Sequence, residues 1–216
     1  RKAERLLRVT DEEHPVGAQL MGAVPAEFAP AALRLVEAGF DVIDINFGCP
    51  VKKVLGRQRG GYLLGQVDTA LEIVSRVREA VPTHVPVTVK MRRGLDDTAE
   101  SRERFFQIFD GAFERGVAGI TVHGRTRCQF FTGKADWAAV APVVQATSLP
   151  VLVNGDILTP SDARAALKAS GAAGVMIGRG AYGAPWMPGR IATDLATGRD
   201  PGEPPRAAQR GIHLSH

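Results

Sequence analysis

Asp44-Ile45-Asn46-Phe47-Gly48-Cys49-Pro50 is the stretch on which the fold turns. An apolar run from Phe40 to Ile45 breaks into Asn, Gly, Cys and Pro, the pattern of a buried strand whose end opens into a loop carrying a thiol. The same grammar recurs along the chain. Short apolar strands are read at 15–21, 40–45, 85–91, 118–122, 149–153 and 173–177. Each is followed by a helical pattern, at 27–38, 68–81, 101–115, 136–146, around 163–167 and around Ile191. Thr159 and Pro160 form an N-cap and first-turn pair, and Gly39, Gly116 and Gly171 stand where helices end.

Six strictly alternating βα units require a parallel sheet, either doubly wound or closed into a barrel. The strand ends discriminate. Gln19, Asn46 with Cys49, Lys90, His123, Asn154 and Arg179 all lie at or just beyond the C-terminal end of a strand. A barrel gathers such ends at one mouth, whereas an open sheet spreads them along a crevice. The expected fold is therefore α/β, a (β/α)8 TIM barrel. Since six strands are visible, the first two, roughly 60 residues at about 30 per unit, are expected to precede Arg1.

Composition narrows the function. The 216 residues contain 6% aromatics and carry a net charge of +4, an ordinary globular balance. Two cysteines, Cys49 and Cys128, support neither a disulfide framework nor a metal-ligand spacing, so a reducing cytoplasm and no metal are expected. No apolar run approaches the roughly 18 residues that span a bilayer, so no membrane partner is expected. A monomer is expected.

Asn154-Gly155-Asp156 and Gly178-Arg179-Gly180 close the last two strands, the usual phosphate loops of a barrel, although such glycines also make plain tight turns. Lys90, on an inward strand end, calls for a bound anion, an electron-rich ring or an ion pair with Asp44. Gln19 and Asn46 offer both donors and acceptors, suited to a heterocycle edge or to a satisfied core amide. His123 fits a hydrogen-bond or phosphate contact better than a metal. Lys52, Lys53, Arg57, Arg59, Arg92, Arg93, Arg125 and Arg127 follow strand ends and read as a basic rim for a polyanion, with the Gly-containing segment after Pro50 as a mobile loop.

Taken together, DINFGCPVKKV (44–54), VKMRRG (89–94), TVHGRTR (121–127), NGDI (154–157) and IGRGAYGAPW (177–186) resemble the tRNA-dihydrouridine synthase family, most closely the bacterial type with GCPxKKV. The resemblance covers the chain from about Gln19 to Ile191 and implies an FMN-dependent oxidoreductase with NADPH as electron donor and tRNA as partner. It implies FMN contacts by Gln19, Asn46, Lys90, His123, Asn154, Gly155, Asp156, Gly178 and Arg179. Cys49 matches the catalytic cysteine, giving a proton to uracil while reduced FMN gives a hydride. RNA contacts are expected from Lys52, Lys53, Arg57, Arg59, Arg92, Arg125 and Arg127. Residues 1–192 are expected to form the FMN-binding barrel, and 193–216 a tail or the start of a C-terminal helical tRNA-binding domain. Two other readings stay open on the residues alone: a flavin barrel reductase acting on a small pyrimidine, and a non-catalytic RNA-binding module.

Overall fold

The computed structural model describes residues 7–209. Its sheet has six parallel strands in sequential order: β1 (Gly17–Leu20), β2 (Val42–Phe47), β3 (Val87–Arg92), β4 (Gly119–His123), β5 (Val151–Asn154) and β6 (Gly174–Met176). A doubly wound sheet reverses its order at a switch point. An unbroken run from β1 to β6 is the order of a TIM barrel.

The pleat explains the position of the site. Successive strand residues face opposite sides, and one side is uniformly apolar. Ile43, Ile45, Phe47, Val87, Val89, Met91, Val122 and Val153 are completely buried in one core with the helices. Burying each such side chain contributes roughly 1.5–3 kcal/mol. The other side faces the barrel interior in layers fixed by register. Gln19, Asp44, Thr88 and Gly119 form one layer. Asn46, Lys90, Thr121, Leu152 and Gly174 form the next, and Arg92, His123, Asn154 and Met176 lie nearest the mouth. The polar strand residues are thus forced inward by their apolar neighbours.

The helices follow their local signals. α1 (Pro25–Glu37) buries Phe28 and Ala32 and gives way to Gly39 at φ 93°. α2 (Lys52–Leu55) is a single turn, and α3 (Val67–Ala80) buries Ala70, Ile73, Val74 and Val77. In α4 (Ala99–Glu114) the Thr98 hydroxyl accepts from Ser101 N as the cap. The pattern over 136–146 is realised as a 3-10 turn, Ala138–Val140, followed by α5 (Ala141–Gln145). Pro142 has no N–H to continue a helix begun upstream, which accounts for the break. α6 (Pro160–Ser170) has the capping box of Thr159 and Asp162 and ends at Gly171 in the left-handed region, φ 67°.

One expectation needs correction. The segment after Pro50 is not an open loop. It contains α2 and a 3-10 helix, Gly60–Gly65, in which Gly60, Gly61, Leu63 and Leu64 are buried. The leucines anchor it in the core, and the two glycines let its backbone lie against Cys49. A Cβ on Gly60 would come within 2.8 Å of the Cys49 Cβ. The last helix, α7, runs from Met187 to Thr197, with Asp194 buried and paired with Arg164 of α6. Arg190 then pairs with Asp200 beyond it. Among the described residues, no helix is long and apolar enough to cross a membrane.

Candidate active site

The inner face opens at the strands' C-terminal ends into a cavity of about 460 Å³. Asn46, Gly48, Cys49, Lys90, Arg92, His123, Asn154, Gly155, Asp156, Gly178 and Arg179 line it, as do Phe131 and Tyr182. Nearly every strand-end residue singled out in the sequence therefore converges here. Gln19 does not. It lines a second, deeper cavity of about 560 Å³ with Asp44, Thr88 and Thr121, because it sits one layer below Asn46.

The thiol is held by its own loop. Asn46 Oδ1 accepts from Gly48 N at 2.9 Å and from Cys49 N at 3.0 Å, and Gly61 N donates to Cys49 O at 2.9 Å. Cys49 is half-buried. Lys90 reaches the same cavity without an ion pair or hydrogen bond to any described residue. Burial pushes its ammonium below the ordinary value, and Asp44 pulls it back up. An ammonium in this setting calls for an anionic or electron-rich occupant.

His123 is neutral by construction. Burial first, and then the positive charges of Arg92, Lys90 and Arg125, bring it down to about 3. Its Nδ1 accepts from Arg125 N at 3.1 Å, so the ring proton is on Nε2, a donor available to the cavity. The unfolded chain takes up a proton below the ordinary value of 6.5 that the folded protein refuses until about 3. The contribution of neutral His123 is therefore complete above 6.5 and is lost as pH falls toward 3, on the order of 4 kcal/mol. In His123→Gln that component is absent. The gap in unfolding midpoint between the wild type and this variant should drift against the wild type as pH falls from 7 to 4, and a constant gap would refute the assignment.

The loop after β5 is shaped by glycine. Gly155 has φ 115°, and a Cβ there would lie 2.7 Å from the Ala135 Cβ and 2.9 Å from the His123 ring. Gly180 has no room for a Cβ either, with Ile157 O at 2.5 Å, whereas Gly178 faces open space. Asn154 Nδ2 donates to Met176 O at 2.7 Å, tying β5 to β6. Above them Arg179 is half exposed.

Three of these residues are also held by their neighbours. Asp156, which lines the cavity, has its carboxylate paired. Oδ1 accepts from Arg125 and Arg179, and Oδ2 from Arg125 and Ala135 N. Burial raises its pKa, but these hydrogen bonds and charges outweigh that and the net shift is downward. Arg125, only 2% exposed, is not a rim residue, since it also donates to Thr132 O and Gly133 O. Arg92, also 2% exposed, is likewise internal. It donates to Gly48 O, Thr126 O and Phe130 O, and burial and then Arg125 pull it down to about 10. These arginines brace the loops that form the mouth. Lys52, Lys53 and Arg57 are exposed as expected, while Arg59 and Arg127 are half-buried. Phe131 escaped the sequence reading. It is 44% exposed, with Arg179 and Arg92 lying 5.4 and 5.6 Å from its ring centroid. The adjacent Phe130-Phe131 pair in a polar loop was the available signal.

The family profile "Dihydrouridine synthase (Dus)" matches residues 1–216. The chain belongs to the dihydrouridine synthase family. It is 43% identical over 198 residues to a "Probable tRNA-dihydrouridine synthase" of Rickettsia conorii, covering 92% of this chain and 58% of that protein. It is 48% identical over 187 residues to one of Rhodobacter capsulatus, covering 87% and 56%. With "tRNA-dihydrouridine synthase B" of Xanthomonas axonopodis pv. citri it shares 39% over 216 residues, covering 100% and 64%. The chain thus spans a little over half to just under two thirds of the length of these relatives.

Among solved structures, it is similar to a morphinone reductase variant in complex with tetrahydroNAD (TM-score 0.59, 19% identity, 93% of this chain and 54% of that one). It is also similar to 2-chloromuconate cycloisomerase of Rhodococcus opacus (TM-score 0.56, 16% identity, 85% and 42%). Proteins named for such different chemistry share the barrel alone with this dihydrouridine synthase family member.

Proposed function

We propose that this chain is the flavin-binding, catalytic part of a tRNA-dihydrouridine synthase, reducing the C5=C6 bond of a uridine in tRNA. The observation that carries the proposal is that the Cys49 thiol shares one cavity with Lys90, His123, Asn154, Gly155, Gly178 and Arg179. The donor set suits FMN. The Lys90 ammonium and the Nε2–H of a neutral His123 face the space for an electron-rich ring, and a cradle without Cβ atoms beside Arg179 suits a phosphate. Bound FMN, reduced by NADPH, supplies hydride chemistry.

The chain's own residues do the rest. Cys49 holds a proton on Sγ that it would deliver to C5 of the uracil, and Lys90 and Arg92 lie close enough to stabilise the thiolate that would result. Lys52, Lys53 and Arg57 meet the RNA backbone while the base leaves its stack for the cavity. Arg59 and Arg127 flank that path. The protein loaded with FMN and supplied with NADPH should add two hydrogen atoms to uridine in unmodified tRNA, read by mass spectrometry of nucleosides. A free pyrimidine reduced as well as tRNA would overturn the substrate assignment. Arg179→Ala should weaken FMN retention about 10- to 100-fold, the usual worth of a charge-assisted contact. Unchanged flavin occupancy after gel filtration would remove Arg179 from the phosphate site.

A further inference from the structure

Asp44 is a carboxylate inside the barrel, one layer below Asn46. Its neighbours form a continuous chain toward the thiol. Thr88 Oγ1 donates to Asp44 Oδ1 at 2.7 Å, and Gln19 Nε2 donates to Oδ2 at 2.5 Å. Gln19 Oε1 accepts from Asn46 Nδ2 at 2.7 Å. Asn46 Oδ1 then accepts from the backbone N–H groups of Gly48 and Cys49.

The two ends of this chain have fixed polarity, and the middle does not. Backbone N–H groups can only donate, and a carboxylate only accepts. Gln19 and Asn46 carry amides that could each be turned either way. An acceptor at Asp44 turns the Gln19 amino group toward it, which leaves a carbonyl facing Asn46. Asn46 must then spend an N–H on Gln19 and present its oxygen to the loop. We infer that Asp44 is a positioning residue, setting through Gln19 and Asn46 the polarity of the hydrogen bonds that hold the Cys49 loop. Its catalytic consequence rests on the reading of Cys49 as proton donor.

This relay makes a prediction that a merely local structural role does not. Asn46→Asp keeps an acceptor for Gly48 N and Cys49 N but turns a second acceptor toward Gln19. Whichever way Gln19 turns, one acceptor faces another. Adding Asp44→Asn reverses the whole chain. Thr88 then donates to the oxygen of the amide introduced at position 44, the amino group of that amide donates to Gln19, and Gln19 donates to the new carboxylate at position 46. The second change should therefore repair the first from one layer below.

The test is the alkylation rate of Cys49 by iodoacetamide in a Cys128→Ser background, which removes the exposed second thiol. For the FMN-loaded protein, uridine reduction is measured separately from flavin reduction by NADPH. Asn46→Asp should shift alkylation and slow uridine reduction by about tenfold or more, since the hydrogen bond to Gln19 is lost and a second acceptor faces it. Asn46→Asp with Asp44→Asn should bring alkylation back to within about threefold of the parent. An electrostatic effect of the new carboxylate on the thiol would persist in the double variant, so failure to recover overturns the relay.

A second arm guards against poor folding of Asn46→Asp. Gln19→Glu with Asp44→Asn preserves the acceptor facing Asn46 and should leave alkylation within about twofold; a tenfold change would also overturn the relay. Recovery of alkylation, with uridine reduction indifferent to loss of Cys49, would support the relay and count against the proton-donor reading alone.

Discussion

Cys49→Ala should slow uridine reduction by at least about two orders of magnitude while leaving the reduction of bound flavin by NADPH unchanged. A positioned general acid contributes typically 10²- to 10⁴-fold, and the substitution leaves Lys90, His123 and Arg179, the proposed flavin contacts, in place. The thiol sits on its own loop, clamped by Asn46 on one side and by Gly61 on the other. In the proposed reduction a hydride at C6 would build negative charge on C5 and the C4 carbonyl, and a proton at C5 would complete the step. Without Sγ that proton must come from water, which the half-buried loop does not position. Stopped-flow spectroscopy separates the halves: flavin bleaching by NADPH should keep its rate, and reoxidation by tRNA should stall. Reoxidation at the wild-type rate would remove Cys49 from the chemistry. Cys49→Ser, a weaker acid in the same place, should fall between.

The architecture and the composition of the mouth were legible because they follow from short-range rules. An apolar strand followed by a polar end, repeated six times, is enough to place Asn46, Lys90, His123 and Asn154 on one rim, and the structure brings them together. Short-range rules fail where the answer depends on side-chain direction or distant partners. Arg92 follows the strand run VTVKM and reads as rim charge. Thr88, Lys90 and Arg92 alternate on one face of β3, so the pleat carries Arg92 inside. Arg125 and Asp156 are 31 residues apart, and no local pattern announces their pairing. The segment around Gly60 looks open because it is basic and glycine-containing. Its two glycines instead allow the close approach to Cys49 that larger residues would forbid. Gln19 and Asp44 each had a plausible partner by type, but the chain from Asp44 through Gln19 to Asn46 required the register of the strands.

Asp156→Ala should be the most damaging substitution to stability near the mouth, at about 3–5 kcal/mol, the usual cost of stripping a buried charge of its partner. Arg125 has almost no solvent exposure, and its Nη1 and Nη2 reach the two carboxylate oxygens at 3.0 and 2.6 Å. The two carbonyls that Arg125 also contacts, Thr132 O and Gly133 O, satisfy donors without neutralising charge. The Ala135 N–H would lose its acceptor at the same stroke. For a chain of this size the melting temperature falls about 2–4 °C per kcal/mol, so a drop on the order of 10 °C is expected. Arg179→Ala removes the other, half-exposed partner of the same carboxylate and should cost under about 1 kcal/mol. The contrast separates bracing from surface pairing. Replacing both members of the buried pair, Arg125→Met with Asp156→Ala, should be less harmful than Asp156→Ala alone, because no unpaired guanidinium remains. If instead Asp156→Ala and Arg179→Ala melt within a degree or two of each other, Arg125 is not held by charge, and the loops of the mouth owe their shape to Gly155 and the backbone contacts around it.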